Sequence, residues 1–419
     1  MNNVSIKAAT LIGSEIIKLG NEINQKIREG HEIYNLTIGD FNPTIFPIPA
    51  TLCAYIQEAY QNGQTNYPPA DGMPELKHAV MSFLKDFQKL DIAQDEMMIA
   101  GGGRPLIHAI YQAIVDPGDK VLYPVPSWNN NHYCHLSDAQ KVEVVTLAED
   151  GFMPTADMLA PHLHECVLLA LCSPLNPTGT TFKKEELIKI CDLVILENER
   201  RKGKQKPLYV LYDQMYWMLM AEGIQHFDPV TLNPAMKDYT LFIDGISKSL
   251  CATGVRVGWG VGPAEVIGKM KSIIGHIGAW APRAEQVATA KFLNNREAFN
   301  EYIVVLKQLI QKRFTGLFDG LKALQQKGYP IQVVAPEGAI YISVQFNLLG
   351  KKKADGTLVQ TGPDITDFLI SQAGLALVPF TAFGCEGNIG WYRVSIGTLK
   401  EEEIPQLFDK LERALAQLT

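Results

Sequence analysis

The chain has 419 residues, 47% of them hydrophobic and 20% charged, which is typical of a soluble globular protein. Its formal net charge of −7 argues against a nucleic-acid-binding protein, so any anionic ligand would need a local positive site. The beginning of the sequence lacks a basic stretch followed by an apolar one, and no run of eighteen apolar residues occurs. Seven scattered cysteines form no C-x-x-C pair. We therefore expect a cytoplasmic protein without a signal peptide or a membrane span.

From about residue 97, short apolar runs alternate with longer amphipathic stretches such as Lys183–Arg200. Runs that are apolar throughout are typical of strands buried on both faces, and helices between them indicate parallel crossovers. The predicted strands are, in chain order, "MMIA", "KVLYPV", "KVEVVTL", "CVLLALCSP", "PLYVLYD", "YTLFIDGI" and "VRVGWGVG". The pattern predicts a large α/β domain over residues 47–295, with a mostly parallel sheet sandwiched by helices.

The pattern changes after Arg283. A long helix is predicted over Arg296–Lys327, followed by strands "IQVVAP" and "AIYISVQF" and a helix near Asp364–Ala373. Two further strand segments, "LALVPF" and "WYRVSIG", precede a terminal helix that begins at Glu401. This module is a smaller α+β domain over residues 296–419, and we expect residues 1–46 to pack with it. An amphipathic stretch at the start of the chain should cover the ligand site or lie at a subunit interface.

Polar residues follow the predicted strands at the points where the strands end. Asp213 closes "VLYD", Asn176 opens "NPTG" after another strand, and Lys248 follows "FIDGIS". A glycine turn at Gly102 and Gly103 leads from a strand into a helix. Each feature alone would be an ordinary cap or turn. Because ligands bind at the carboxyl ends of parallel strands, their convergence predicts a functional site.

The residue types fit the chemistry of pyridoxal phosphate. A desolvated lysine such as Lys248 is a suitable amine for a Schiff base, and a carboxylate such as Asp213 keeps the ring nitrogen protonated. A phosphate needs backbone N–H groups at the start of a helix and an arginine, which Gly102, Gly103 and Arg256 offer. Trp128, just past a strand, can stack on the ring.

Several segments resemble class I/II aminotransferases, the fold type I pyridoxal phosphate enzymes, and within them the aspartate aminotransferase group. "DGISKSLCATGVRVGWGVGP" resembles their lysine motif, with an arginine eight residues after the lysine. "DQMY", "NPTG" and "WYRVSIG" resemble further motifs of the family, in order and spacing. The resemblance extends from about Tyr34 to the end of the chain, and it implies a homodimer with a shared active site.

The resemblance implies a role for each matching residue. Lys248 would form the Schiff base and move the proton, Asp213 would pair with the ring nitrogen, and Tyr216 and Asn176 would bond the ring oxygen. The residues expected around the cofactor are Gly102, Gly103, Arg104, Trp128, Asn176, Asp213, Tyr216, Ser247, Lys248 and Arg256, with Tyr67 reaching the phosphate from the neighbouring subunit. The residues expected around the substrate are Gly39, Arg104, Asn176 and Arg393, of which Arg393 would hold the α-carboxylate as a bidentate fork.

Two positions depart from the family pattern. Gly245 stands where many members carry a hydroxyl, which removes one expected phosphate ligand. Arg104, in "GGGRP", stands where one subgroup carries a lysine that recognises a distal carboxylate of the substrate. Arg104 either serves this purpose or is a surface arginine at the start of a helix, and the sequence leaves both interpretations open.

The resulting hypothesis is an aminotransferase that moves an amino group from an L-amino acid, with aspartate or another dicarboxylic or broad-range donor favoured, to a 2-oxo acid such as 2-oxoglutarate. A C–S β-lyase would use the same Lys248, and a cofactor-binding regulator without catalysis is the weaker alternative. Histidine pairs at His132-x-x-His135 and His162-x-His164 lack a second ligand pair, so we expect no metal.

Overall fold

The structure, a computed structural model, describes residues 3–13, 15–387 and 389–419. Its strands are β1 Tyr34–Asn35, β2 Met97–Ala100, β3 Lys120–Val125, β4 Gln140–Val145, β5 Cys166–Cys172, β6 Tyr209–Asp213, β7 Thr240–Gly245, β8 Gly258–Val261, β9 Ile331–Val334, β10 Tyr341–Phe346, β11 Leu375–Ala376, β12 Val378–Pro379 and β13 Trp391–Ser395. Its α-helices are α1 Ile6–Thr10, α2 Glu15–Arg28, α3 Ala50–Gln61, α4 Pro74–Gln88, α5 Gly103–Ile114, α6 Asn130–Leu136, α7 Ala156–Leu163, α8 Lys184–Arg201, α9 Pro229–Leu232, α10 Ile246–Ser249, α11 Ala264–Ile277, α12 Arg283–Asn294, α13 Arg296–Gln326, α14 Gly362–Ala373 and α15 Ile404–Leu415.

The predicted α/β sheet is confirmed. Within the described residues, seven strands form one sheet in the order β2-β8-β7-β6-β5-β3-β4. Neighbouring strands from β7 to β4 run parallel, whereas β8 is antiparallel to both β2 and β7. The apolar run of β5 is buried along nearly its whole length, as expected for a strand covered by helices on both faces.

Strand β8 is shorter than the sequence predicts, because Arg256 interrupts the segment "VRVGWGVG". The backbone φ of Arg256 is +62°, a left-handed conformation that does not fit a regular strand. The ladder of β8 therefore begins only at Gly258. The interruption turns the arginine side chain away from the sheet and toward the ends of the parallel strands, where its guanidinium reaches the carbonyl of Gly101.

The second sheet is antiparallel, in the order β12-β13-β10-β9. The predicted strand "LALVPF" is two short strands, because β11 pairs in parallel with β1 while β12 joins β13. The β1–β11 pairing ties the start of the chain to the C-terminal module, and α13 begins at Arg296. These contacts support the proposed division into a large domain, residues 47–295, and a smaller one, residues 1–46 with 296–419.

Candidate active site

A cavity of about 330 Å³ opens where β5, β6 and β7 end, between the two sheets. Three of the expected residues reach it from consecutive parallel strands. Asn176 follows β5, Asp213 ends β6, and Lys248 lies on α10 immediately after β7. The expected convergence at the carboxyl edge of the sheet is therefore present in the structure.

Lys248 projects its amine into this cavity. Its Nζ donates a hydrogen bond to the carbonyl of Gly39 at 2.6 Å and lies 5.6 Å from the ring centre of Tyr216. Burial lowers the pKa of Lys248 to about 8, although the negative charge of Asp40 acts to raise it. At pH 7 roughly a tenth of the amine is therefore a neutral nucleophile, far more than for an ordinary lysine.

Asp213 is a carboxylate in the cavity wall without a cation beside it among the described residues. Its Oδ1 accepts one hydrogen bond, from the backbone N–H of Met215 at 3.0 Å. Burial raises the pKa of Asp213 to about 6. An uncompensated carboxylate in such a place favours a cationic ligand group, and a protonated ring nitrogen has the required charge.

Arg393 is buried on β13 between two aromatic rings. Its guanidinium carbon lies 4.6 Å from the ring centre of Tyr341 and 5.0 Å from that of Phe383. Nη1 donates to Asn176 Oδ1 at 3.0 Å and Nη2 donates to the Thr37 carbonyl at 2.7 Å, while Nε is buried without a partner. A guanidinium that is held in one orientation and lines the cavity suits a carboxylate.

The first turn of α5 and Arg256 form the second cationic part of the cavity. A Cβ on Gly102 would lie 2.4 Å from Arg256 Nη2, and Gly102 has a φ of +94°, so only glycine fits. Arg256 is held by the carbonyls of Gly101 at 2.6 Å and Thr253 at 2.7 Å. Helix N–H groups beside an arginine are a phosphate site.

Further residues complete the wall of the cavity. Ser247, Trp128 and Arg104 all line it, and the Arg104 guanidinium lies 5.0 Å from the Trp128 ring centre. Ile16 and Ile17 of α2 also line it, so the amphipathic N-terminal stretch does cover this site. Of the charged side chains in the wall, four are cationic and two anionic, namely Arg104, Lys248, Arg256 and Arg393 against Asp40 and Asp213. The cavity is therefore suited to anionic ligands although the chain is acidic.

Tyr67 is the one expected residue that lies away from the cavity of its own chain. Its side chain is 81% exposed and packs edge-on against Trp280 at 5.2 Å. This position leaves the expected contact with a neighbouring subunit as a prediction.

The structure gives a reason for the glycine at position 245. A Cβ there would lie 2.7 Å from the Val257 carbonyl oxygen and 2.8 Å from Gly258 Cα, across the β7–β8 ladder. The hydroxyl that many family members carry at this position therefore has no room in this backbone.

Asp40 and Tyr341 are among the cavity residues that the sequence does not predict. Asp40 accepts from Thr253 Oγ1 at 3.0 Å and supplies a carboxylate close to Lys248. Tyr341 opens β10 and bonds Tyr216, hydroxyl to hydroxyl, at 2.6 Å. In an apolar strand such as "AIYISVQF", a tyrosine is typical of the hydrophobic core. No local pattern distinguishes a tyrosine at a functional site from one in the core.

No group of three or more histidine, cysteine, aspartate or glutamate side chains is placed to hold a metal ion in the part of the chain that the structure describes. Over the same residues, no helix has the length and apolarity needed to cross a lipid bilayer.

Comparison with known proteins identifies the class. The family model of class I and II aminotransferases matches residues 31–411, and the chain belongs to this family, whose members are pyridoxal-phosphate-dependent. It is an enzyme of the aminotransferase family.

Relatives and solved structures match over essentially the whole chain. The aspartate/prephenate aminotransferase of Thermus thermophilus is 28% identical over 100% of both chains, and an aspartate aminotransferase of Rhizobium meliloti is 28% identical over 97% of this chain and 94% of its own. The crystal structure of the aspartate aminotransferase from Rhizobium meliloti superposes with a TM-score of 0.90, at 26% identity and full coverage of both chains. That of Thermus thermophilus aspartate aminotransferase with maleate gives a TM-score of 0.87, at 26% identity over 99% of this chain and 100% of the other.

Proposed function

We propose that this chain binds pyridoxal phosphate and moves an amino group from an L-amino acid to a 2-oxo acid such as 2-oxoglutarate, with aspartate or another dicarboxylic or broad-range donor favoured. One observation carries the proposal. The amine of Lys248, the uncompensated carboxylate of Asp213 and the fork of Arg393 share one cavity. These are the three groups that the reaction requires on the protein.

The cofactor would be held at both ends by this chain. Asp213 would face the ring nitrogen, Trp128 would stack on the ring, and Asn176 and Tyr216 would bond its oxygen. The residues proposed for the phosphate are Gly102, Gly103, Ser247 and Arg256. When bound, pyridoxal phosphate supplies an aldehyde that captures the substrate amine and a cationic ring that withdraws electrons.

Lys248 would take the proton from the substrate carbon and return it at the other end of the reacting system. The lowered pKa of its amine, about 8, suits a group that must accept and release a proton near neutral pH. Arg393 would fix the substrate α-carboxylate, with Gly39 beside it. A Cβ on Gly39 would lie 3.4 Å from Arg393 Nη1, so the glycine keeps the approach to the fork open. Such fixation orients the reacting carbon toward Lys248.

Arg104 would recognise the distal carboxylate of a dicarboxylic substrate. It lies in the wall of the cavity, and its stacking on Trp128 holds the guanidinium in place. Arg104→Ala should reduce kcat/KM for aspartate and glutamate about 10- to 100-fold more than for phenylalanine, because a charge-assisted hydrogen bond is lost only with the acids. Arg200→Ala, at an exposed arginine on α8, is the control. Equal losses on acidic and aromatic donors would show that Arg104 does not read the side chain.

A homodimer with a shared active site is part of the proposal. Tyr67 is exposed next to Trp280, where its hydroxyl is free to reach the phosphate in a second copy. Tyr67→Phe and Lys248→Ala chains, each poorly active, should regain activity when refolded together, because a mixed dimer has one site with both residues intact. No recovery, in mixtures that light scattering shows to be dimeric, would contradict the shared site.

The reaction itself is tested with a panel of amino acids added to the protein loaded with pyridoxal phosphate. Aspartate or glutamate should abolish the visible absorption of the cofactor, and 2-oxoglutarate should restore it. Release of pyruvate and ammonia from cystathionine would favour the β-lyase instead. A cofactor-loaded protein that responds to no amino acid would contradict the proposal.

A further inference from the structure

Tyr341 and Tyr216 form a hydroxyl pair at the junction of the two sheets. Their oxygens are 2.6 Å apart, and their rings cross at 68° with centres 5.5 Å apart. Tyr341 opens β10 of the antiparallel sheet, whereas Tyr216 follows β6 of the large sheet, 125 residues earlier. The pair therefore joins the two modules inside the cavity wall.

The position of Tyr341 is fixed on three sides. Gly179, at a φ of +75°, packs so closely that a Cβ on it would lie 2.1 Å from the Tyr341 carbonyl oxygen. A Cβ on Gly39 would lie 2.8 Å from the Tyr341 hydroxyl, so that glycine leaves the space in which the hydroxyl lies. The Arg393 guanidinium lies 4.6 Å from the centre of the Tyr341 ring.

Hydrogen-bond satisfaction decides which hydroxyl donates. Tyr341 is fully buried, and Tyr216 is the sole acceptor for its proton among the described residues. If Tyr216 donated to Tyr341, the Tyr341 proton would be buried without an acceptor, which is costly. If Tyr341 donates, its proton has an acceptor in the Tyr216 oxygen, and the Tyr216 proton is free to point into the cavity.

We infer that Tyr341 is a positioning residue that donates its proton to Tyr216 and thereby aims the Tyr216 proton at an anionic ligand oxygen in the cavity. This inference rests on the proposed function, in which that oxygen belongs to the pyridoxal phosphate ring. Consecutive hydrogen bonds strengthen one another, so the donation from Tyr341 makes Tyr216 a stronger donor.

The first test uses urea unfolding of the protein without cofactor to determine which tyrosine donates in the Tyr341–Tyr216 hydrogen bond. Tyr216→Phe should lower the urea midpoint of unfolding more than Tyr341→Phe, because it leaves the Tyr341 donor buried without an acceptor. Adding Tyr341→Phe to Tyr216→Phe should then recover part of the loss. Tyr341→Phe costing as much as Tyr216→Phe, or a double variant without recovery, would overturn the assigned direction.

The second test measures the visible absorption of bound cofactor as a function of pH. The pH midpoint of the visible absorption of bound pyridoxal phosphate should rise by about 0.2 to 0.6 unit in Tyr341→Phe, since a weaker donor at Tyr216 stabilises the deprotonated form less. The charged groups around the cofactor are unchanged in the variant, namely Asp40, Arg104, Asp213, Lys248, Arg256 and Arg393. In a Tyr216→Phe background the same substitution should cause no further rise.

A matched control is available on the neighbouring strand. Tyr392 is also buried, adjoins Arg393, and bonds Thr366 Oγ1 at 3.0 Å, outside the cavity. Tyr392→Phe should leave the pH midpoint at the wild-type value. The affinity of Tyr341→Phe for maleate should also be unchanged, because the ring that stacks on Arg393 remains.

The outcomes separate the inference from the proposed function. A wild-type protein that shows no visible band with pyridoxal phosphate would contradict the proposed function, while the unfolding test would still decide the direction of the bond. A wild-type band with no shift in Tyr341→Phe, or a shift matched by Tyr392→Phe, would overturn the role of Tyr341 alone.

Discussion

Gly102→Ala tests the proposed phosphate site at its most constrained backbone position. The residue has φ and ψ of +94° and −178°, a region open almost only to glycine, so alanine should cost about 1–3 kcal/mol of strain. Its Cβ would also lie 2.4 Å from Arg256 Nη2 and displace that guanidinium from the Gly101 carbonyl. Loss of one charge-assisted bond to the phosphate should weaken pyridoxal phosphate binding about 10- to 150-fold.

The assay is a titration of the apoprotein with pyridoxal phosphate, followed by absorption, alongside urea unfolding without cofactor. Gly268→Ala is the control, because that glycine lies within α11 with no atom near its would-be Cβ. It should bind cofactor normally and unfold at higher urea, since alanine stabilises a helix by about 0.5–1 kcal/mol. A Gly102→Ala protein that is destabilised but binds the cofactor as tightly as wild type would refute the phosphate assignment.

Three further substitutions test separate parts of the account. Asp213→Asn should lower kcat about 100-fold or more, yet stabilise the apoprotein above pH 6. The pKa of Asp213 in the folded protein, about 6, exceeds its value in the unfolded chain. The ionised carboxylate therefore destabilises the fold by up to about 3 kcal/mol above pH 6 and has no effect below about pH 4. An unchanged slope of unfolding free energy between pH 4 and 6 would contradict this. Arg393→Lys keeps the charge but loses the fork, so KM for the donor should rise about 10-fold or more while cofactor affinity stays constant; weakened cofactor binding would argue against a substrate role. Gly245→Ser should destabilise the fold by about 1–3 kcal/mol instead of adding a phosphate ligand, because the side chain meets the β8 backbone; tighter cofactor binding would show that the backbone yields.

The sequence predicts much of the fold because the large sheet is built from locally recognisable pieces. Apolar runs such as β5 are long and continuous, and the helix predicted at Lys183–Arg200 forms one residue later, at Lys184–Arg201. Strand direction is harder to predict. Strand β8 runs antiparallel to its neighbours after a connection through Arg256, whose left-handed backbone no propensity indicates.

Some residues of the candidate site are also predictable from the sequence, and others are not. Asp213 and Lys248 are predictable because a polar residue at the end of a buried strand conflicts with its surroundings. Tyr341 is not predictable from the sequence, because its partner lies 125 residues away and the strand pattern fixes only the face on which it lies. Glycine positions such as Gly245 are explained only by the close approach of β8, which a sequence does not reveal.

The central claim is a covalent bond between Lys248 and pyridoxal phosphate. It is tested most directly by adding the cofactor, reducing with borohydride, digesting the protein and locating the attached group by mass spectrometry. The account predicts a pyridoxyl group on Lys248 and none on Lys77, a buried lysine that is paired with Asp71 at 2.7 Å. A protein that stays colourless, or a pyridoxyl group attached elsewhere with Lys248 unmodified, would contradict it.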